Sequence, residues 1–317
     1  PRRSHRTGLL GDHVTVALMM NMKAGVGRTE RLAAYVFEQF NANGIPFEHV
    51  TGNSAAEAIE NVSKRAHEFS AVVSVGGDGS VHTAAQVAHR HGLPLGIIAS
   101  GSGDDVARAV GLPHGRNYEA TQRAVDHFVA AWKAGDKRPI DGLVVKPAAG
   151  GQRLVLAVIS FGFDSRVSTR SARMTYLKGT FRYIAGMLVT LAKFSPIKYE
   201  AVIDGETKNF SAMLVAMGNG SMFGGGMMVC PSAVPNDGEM DLCVVNEISV
   251  PSLLAIFPKV FKGTHVHHPK VDTLRAREIW IKAPGEQIWG DGEFIGEHEF
   301  HAVCQPGAVE IYGVRLP

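Results

Sequence analysis

The sequence predicts an α/β N-terminal domain built on a doubly wound parallel sheet, followed by a mainly β, sandwich-like C-terminal domain. Three observations carry this. Apolar, β-branched runs alternate with amphipathic helical stretches over the first 140 residues, the pattern of a parallel sheet covered by helices. Beyond about residue 140 the apolar runs are short and separated by turn residues, which reads as a sandwich or barrel-like unit. The chain of 317 residues, 45% hydrophobic, is also long enough for two cores, because single cores rarely grow beyond roughly 250–300 residues. The expected domains are 12–140 and 141–305, with residues 306–317 packing back on the first.

Each element has a local reason. HVTVALMMN (13–21) reads as a strand followed by the turn KAGVGR. TERLAAYVFEQFNANG is an amphipathic helix: Leu32, Tyr35, Val36 and Phe40 share a face, Thr29 can cap it and Gly44 ends it. IPFEHVT (45–51) is a second strand. SAAEAIENVSKRAHEF (54–69) is a helix with Ser54 and Glu57 at capping-box spacing. AVVSV (71–75) is a third strand, then GGDGS, then the helix VHTAAQVAHRHG; LPLGIIAS (93–100) is a fourth, then GSGDDVARAVG. Ligands of such sheets sit beyond the carboxyl ends of the strands, so the turns KAGVGR, GGDGS and SGSGDD are placed to converge on one crevice. The second half holds the runs LVVKPAA, RLVLAVISF, YEAVIDG, FSAMLVAMGNG, MDLCVVNEI, EIWIKAPG, QIWGDGEFI, HEFHAVCQPG and AVEIYGV, interrupted by helical stretches at 172–194 and 251–262.

Composition excludes several classes. A net charge of +2 gives no global argument for nucleic acid. The three cysteines, Cys230, Cys243 and Cys304, lack metal-ligand spacing and read as reduced, buried thiols of a cytoplasmic protein. PRRSHRTGLL has charge but no apolar signal core and reads as a frayed or trimmed terminus. The most apolar helical stretch, YIAGMLVTLA (183–192), falls well short of the roughly 20 residues that span a bilayer, so the chain is expected not to be transmembrane.

In GGDGS (76–80), glycines allow close backbone approach, and N–H groups at a strand-to-helix turn favour phosphate. A carboxylate amid them repels phosphate unless a cation lies between, so Asp78 points to Mg²⁺ on a nucleotide; a tight turn with an exposed Asp is the plainer alternative. NMKAGVGR (21–28) is not a Walker loop, and GSGDD (101–105) fails the dinucleotide fingerprint because position 106 is Val. IWGDGEFIG (288–296) reads by itself as a hairpin around Asp-Gly. So does VPNDGEMD (234–241), though its carboxylates and carbonyls could hold a hard cation. The helix 172–194 places Leu177, Phe181, Ile184, Leu188 and Leu191 on one face with Lys178 and Arg182 elsewhere, suited to core packing or to anionic lipid. LLAIFPKVFKGTHVHHPK (253–270) mixes apolar and basic residues, and His265, His267 and His268 read as surface or pocket histidines.

Taken in order, N-x-x-x-G-x-G (21–27), GGDGS, GSGDDVAR (101–108), FGGGMMVCPSAVPNDGEMDL (223–242) and GDGE (290–293) resemble the diacylglycerol kinase catalytic family, in its bacterial soluble lipid-kinase branch, related to sphingosine and ceramide kinases. The resemblance implies a phosphofructokinase-like nucleotide domain, a β-rich lipid-substrate domain, and ATP-dependent transfer of a phosphoryl group to a lipid primary hydroxyl. It implies that Asn21, Met22, Lys23, Ala24, Gly25, Thr51, Gly76, Gly77, Asp78, Gly79, Ser80, Val81, His82 and Ser102 line ATP. Asp78 would act through Mg²⁺, Asp291 would accept the hydroxyl proton, and the Val234 and Glu239 carbonyls with the Asp237 side chain would hold a structural Mg²⁺. Ser80 and Ser102 stand where the family usually has Thr, Met22 where it has Pro, and Asp104 where it has Asn. The expected setting is cytoplasmic, peripheral at an anionic membrane, with homodimerisation through strand edges open. Two other readings follow from the same residues: an NAD-kinase-like enzyme with a soluble substrate, and a catalytically impaired lipid- or nucleotide-binding regulator.

Overall fold

A computed structural model of the chain describes residues 15–20, 28–161 and 195–316, with the backbone alone at 28 and 29. The expected helix at 172–194 lies outside these described residues, and Thr29, expected as a cap, falls inside a helix whose backbone begins at Arg28. The first half runs β1 (Thr15–Met20), α1 (Arg28–Ala42), β2 (Phe47–Val50), α2 (Ala55–Ser63), β3 (Phe69–Gly76), α3 (Asp78–His91), β4 (Leu95–Ala99), α4 (Asp105–Ala109) and α5 (Tyr118–Ala134). The strands are parallel in the order β2-β1-β3-β4.

Alternate residues of β1 enter different cores. Val16, Leu18 and Met20 pack with Val36 and Phe40 of α1 and Phe128 of α5. Ala17 and Met19 pack with Val62 of α2 and Val81 and Ala84 of α3. Burial on both faces is why these strands read as continuous apolar runs. Ser54 accepts the Glu57 N–H as the α2 cap, and Asn117 accepts the Ala120 N–H as the α5 cap. The single helix expected over 54–69 is shorter. It stops at Ser63, and Arg65 turns aside to pair with Glu48 of β2 at 2.5 Å and with Glu68 at 2.7 Å before a 3-10 turn at Ala66–Glu68.

The second half is antiparallel: β5 (Lys137–Pro147), β6 (Arg153–Val155), β7 (Val158–Phe161), β8 (Ile197–Ile203), β9 (Glu206–Gly218), β10 (Met240–Asn246), β11 (Val271–Ala276), β12 (Glu278–Gly290) and β13 (Glu293–Tyr312), with α6 (Val250–Ile256) and 3-10 turns between β10 and β11. β7 and β8 share one lane between β9 and β12, and β13 pairs with both β12 and β5. The run EIWIKAPG continues through QIWG as one strand, and EFI, past the turn at Asp291-Gly292, opens the next, which also carries HEFHAVCQPG and AVEIY. Their Pro-Gly pairs fall where the ladder shifts register, at Lys282/Gln287 and Gln305/Val309, so they act as bulges rather than strand ends. β13 also meets β4 in parallel at Ile311 opposite Leu95, which joins both halves into one 13-stranded sheet of described residues. Beyond it, the Gly313 N–H donates to Asp136 O and the Arg315 guanidinium pairs with Asp136 at 2.9 Å. All three cysteines are free and buried; burial pushes the thiols of Cys243 and Cys304 up to about 12. No described helix is long and apolar enough to cross a membrane.

Candidate active site

GGDGS is less a loop than a helix start. Gly76 ends β3 with φ 153°, Gly77 is the N-cap, and Asp78 already lies in the first turn of α3, where Ser80 and Val81 N–H groups return to Gly77 O. The Asp78 carboxylate points across to the GSGDD turn, accepting the Asp105 N–H at 2.7 Å and the Asp104 N–H at 3.0 Å. Gly101 stacks on Gly77: a Cβ at Gly101 would sit 2.6 Å from Gly77 Cα. The glycines are needed for this backbone-to-backbone approach. Asp104, in the left-handed region at φ 53°, accepts the Gly101 N–H at 2.8 Å and the Gly115 N–H at 3.1 Å and is 3% exposed. Both of its oxygens are thus engaged by backbone donors, while its charge still acts on Asp78.

Asp105 reaches the other half. Its carboxylate accepts the Gly224 N–H at 2.6 Å and the Gly225 N–H at 2.9 Å. Three consecutive positive φ values, 64°, 81° and 105° at Gly224, Gly225 and Gly226, turn the FGGG backbone toward it. Burial pushes the Asp105 carboxyl up to about 6, with Asp78 as the next cause; burial likewise raises Asp78. Sequence reasoning gave Asp105 no role of its own. The available signal was a triple glycine, whose N–H groups suit an acceptor, downstream of a doubly acidic turn.

Asp291 stands on the β12–β13 hairpin. Asp291 and Gly292 have φ 52° and 79° between the paired residues Gly290 and Glu293, the backbone that Asp-Gly favours in a two-residue hairpin. The side chain folds inward, so a hairpin and a working carboxylate coexist. Its oxygens accept the Leu156 and Ala157 N–H groups, each at 2.8 Å, and the residue is 8% exposed. Asn219 steadies that platform by donating from Nδ2 to Leu156 O and Asp141 O, both at 2.9 Å. His82 Nδ1 of α3 lies 3.7 Å from Asp291 Oδ2, and a Cβ at Gly79 would lie 2.6 Å from Glu293 Oε1. The hairpin therefore abuts the N-terminal turns of α3, and the Asp291 charge acts on both Asp78 and Asp105.

A cleft of about 1380 Å³ opens at this junction, and Thr51, Gly77, Asp78, Gly79, Ser80 and His82 line it together with Glu293 and Phe294. Val81 instead faces the core, 3% exposed, and Ser102 is exposed on the neighbouring turn. Asn21, Met22, Lys23, Ala24 and Gly25 lie outside the described residues. Asp78 and Asp105 are two carboxylates whose nearest charges are those of other carboxylates, the number that a phosphate-borne divalent cation uses, but among the described residues no group of three or more acidic, histidine or cysteine side chains is placed to hold a metal on protein ligands alone. The Asn-Asp-Gly turn differs. Val234 O accepts the Asn236 N–H, and Asp237 accepts the Glu239 N–H at one oxygen and pairs with Arg275 at the other. Arg275 also pairs with Glu239 at 3.0 Å. A guanidinium from β11 thus supplies the counter-charge where the resemblance puts a second cation, and the donor set there fits a divalent ion poorly. The turn is fastened instead by buried Asp141, which accepts the Gly238 N–H at 2.7 Å and the Gly307 N–H at 2.8 Å.

Comparison with known proteins accords with this layout. Residues 15–136 match the diacylglycerol kinase catalytic domain, and residues 157–313 match the YegS C-terminal NAD kinase beta sandwich-like domain. The chain is 32% identical over 302 residues, 95% of each chain, to a protein named diacylglycerol kinase from Mycobacterium tuberculosis. It is 28% identical over 283 residues, 83% of each chain, to the lipid kinase YegS of Escherichia coli K12. A crystal structure from Bacillus anthracis str. Sterne, described as a candidate diacylglycerol kinase, shares the fold with a TM-score of 0.73 at 20% identity, covering 94% of this chain and 96% of the other. With its N-terminal catalytic half and sandwich-like C-terminal half both matched in order, the chain belongs to the diacylglycerol kinase family.

Proposed function

We propose that the chain transfers the γ-phosphate of ATP to the primary hydroxyl of a lipid, diacylglycerol or a related lipid, in the cleft between its halves. The observation that carries this is that α3, which bears Asp78 in its first turn, meets the β12–β13 hairpin that bears Asp291: His82 of α3 lies 3.7 Å from the Asp291 carboxylate, so carboxylates from opposite halves are brought to one junction. In this reading the first half is phosphofructokinase-like, and the glycine turns offer N–H groups to the phosphates. The nucleotide contacts are Asn21 to Gly25, Thr51, Gly76 to His82 and Ser102. Asp78, with Asp105 beside it, would hold the nucleotide's Mg²⁺, which when bound offsets phosphate charge. Asp291 accepts the proton of the attacking hydroxyl. Two backbone donors fix the carboxylate plane, so each oxygen keeps a second lone pair for that proton.

The setting we infer is cytoplasmic, at an anionic membrane surface. What supports it is a stretch from Ile248 to Val271 without an acidic residue, which exposes Phe261 (44%) beside exposed Lys259 and Lys262. The test is transfer of labelled phosphate from ATP to diacylglycerol in mixed micelles, with NAD⁺ as the competing acceptor. Label on the lipid and none on NAD⁺ is expected. Asp291→Asn lowers kcat by about 10²–10⁴, the usual worth of a general base, a far larger change than any in ATP affinity. Near-wild-type turnover of that variant would overturn the assignment of the base.

A further inference from the structure

One buried group in the cleft has an unusual environment. His82 is 9% exposed, and its Nδ1 has no hydrogen-bond partner among the described residues. Its other nitrogen, Nε2, lies 3.4 Å from the side-chain nitrogen of Gln86, one helical turn on. Two bonds to Leu154 settle which end of the Gln86 amide is which. The Leu154 N–H donates to Gln86 Oε1 at 2.9 Å, and Gln86 Nε2 donates to Leu154 O at 2.8 Å. The atom facing His82 Nε2 is therefore an NH₂ group, which can only donate. The same NH₂ lies 3.3 Å from His82 O, so its second hydrogen serves the backbone oxygen or the ring, and in neither case does Nε2 face an acceptor; the proton of a neutral imidazole therefore sits on Nδ1. That is the atom 3.7 Å from Asp291 Oδ2.

We propose that His82 is a positioning residue for Asp291: Gln86 fixes its tautomer, and its Nδ1–H closes onto Asp291 Oδ2 when the cleft is filled. The same short segment sets both partners. Leu154 holds Gln86 and Leu156 holds Asp291, so the link from β6 to β7 spaces the imidazole from the carboxylate. The third donor restricts the lone pairs that Asp291 offers to a hydroxyl. The imidazole does not relay the proton onward, because Nε2 faces an N–H rather than an acceptor. This inference rests on Asp291 being the base, but its first test does not.

That test is the ¹⁵N spectrum of histidine-labelled full-length protein, with the His82 signals identified by their loss in His82→Asn. A neutral ring with a protonated, pyrrole-type Nδ1 and a bare, pyridine-type Nε2 is expected. A proton on Nε2, or a doubly protonated ring at neutral pH, overturns the proposal whatever Asp291 does. The kinetic test compares two variants. His82→Leu keeps the bulk but removes the donor, and kcat falls about tenfold, the scale of one hydrogen bond to a charged group. His82→Asn places an amide N–H where Nδ1 stood and recovers most of that loss. Equal loss in both variants, or a change in KM for ATP alone, sinks the positioning role. If Asp291→Asn proves active while Nδ1 carries the proton, the reading of the base fails and the tautomer stands.

Discussion

At Asp104 the chain has a carboxylate where the family pattern has an amide, and residue type alone suggests a stray negative charge near phosphate. In the fold its oxygens accept two backbone N–H groups, from Gly101 and Gly115. An amide offers one oxygen and would turn its NH₂ against the second donor. Asp104→Asn should therefore cost about 1–3 kcal/mol, the penalty of a buried unmet donor, read from urea unfolding; an unchanged midpoint would count against the two-donor account. Asp105 makes a pH prediction. Its folded-state carboxyl is raised to about 6, so the folded chain holds that proton more tightly than the unfolded chain does. The stabilising contribution is complete below the ordinary carboxylate range, falls as pH rises toward about 6 and is gone above it. Unfolding measured across that window should show wild type losing stability relative to Asp105→Asn, and parallel curves would refute the shift. Neither role was legible in the sequence, because each depends on N–H groups supplied from 3 to 120 residues away.

At the scale of elements, the first half was the more readable. Strands buried on both faces announce themselves as apolar runs, and Ser54 sits three residues before Glu57 as a cap must. The second half misled where Pro-Gly pairs read as strand ends. A bulge needs the same residues as a turn, and only the partner strand decides between them. The start of α3 at Asp78 was hidden for a related reason: glycines discourage a helix assignment, yet here Gly77 caps one. The contact of GGDGS with GSGDD gives a test of the cradle as a unit. In Gly101→Ala the new Cβ must push against Gly77 Cα at 2.6 Å, a backbone atom that cannot swing aside, as well as against Asp104 Oδ1 at 2.7 Å. Overpacking of that kind costs about 1–3 kcal/mol, and it displaces the phosphate turns, so ATP affinity measured by calorimetry should fall along with the melting temperature. Unaltered ATP affinity would show that the two turns are not one site.

For the whole molecule, β13 is the decisive element. It leaves the Asp291 hairpin, crosses the β-rich half beside β12 and β5, and ends against β4 of the parallel sheet. Ile311, fully buried, is the point of contact. Truncating it to Ala should cost about 2–5 kcal/mol as a core cavity. Calorimetry should then show a single transition at lower temperature for both halves; an unchanged transition for either half would mean that they are energetically separate. Composition and pattern could divide the chain in two, but a strand shared by both halves carries no mark in its own residues, since Ile311 would be equally apolar in either core.

The parallel order β2-β1-β3-β4 is closed by a strand synthesised after every other one described. On the ribosome the nucleotide half emerges first yet has an unsatisfied edge at β4 until residue 311 has been made. The same strand carries Glu293 at its other end, beside the phosphate turns. Completion of the fold and completion of the cleft are thus one late event in the life of the chain, so that an unfinished polypeptide cannot carry a finished site.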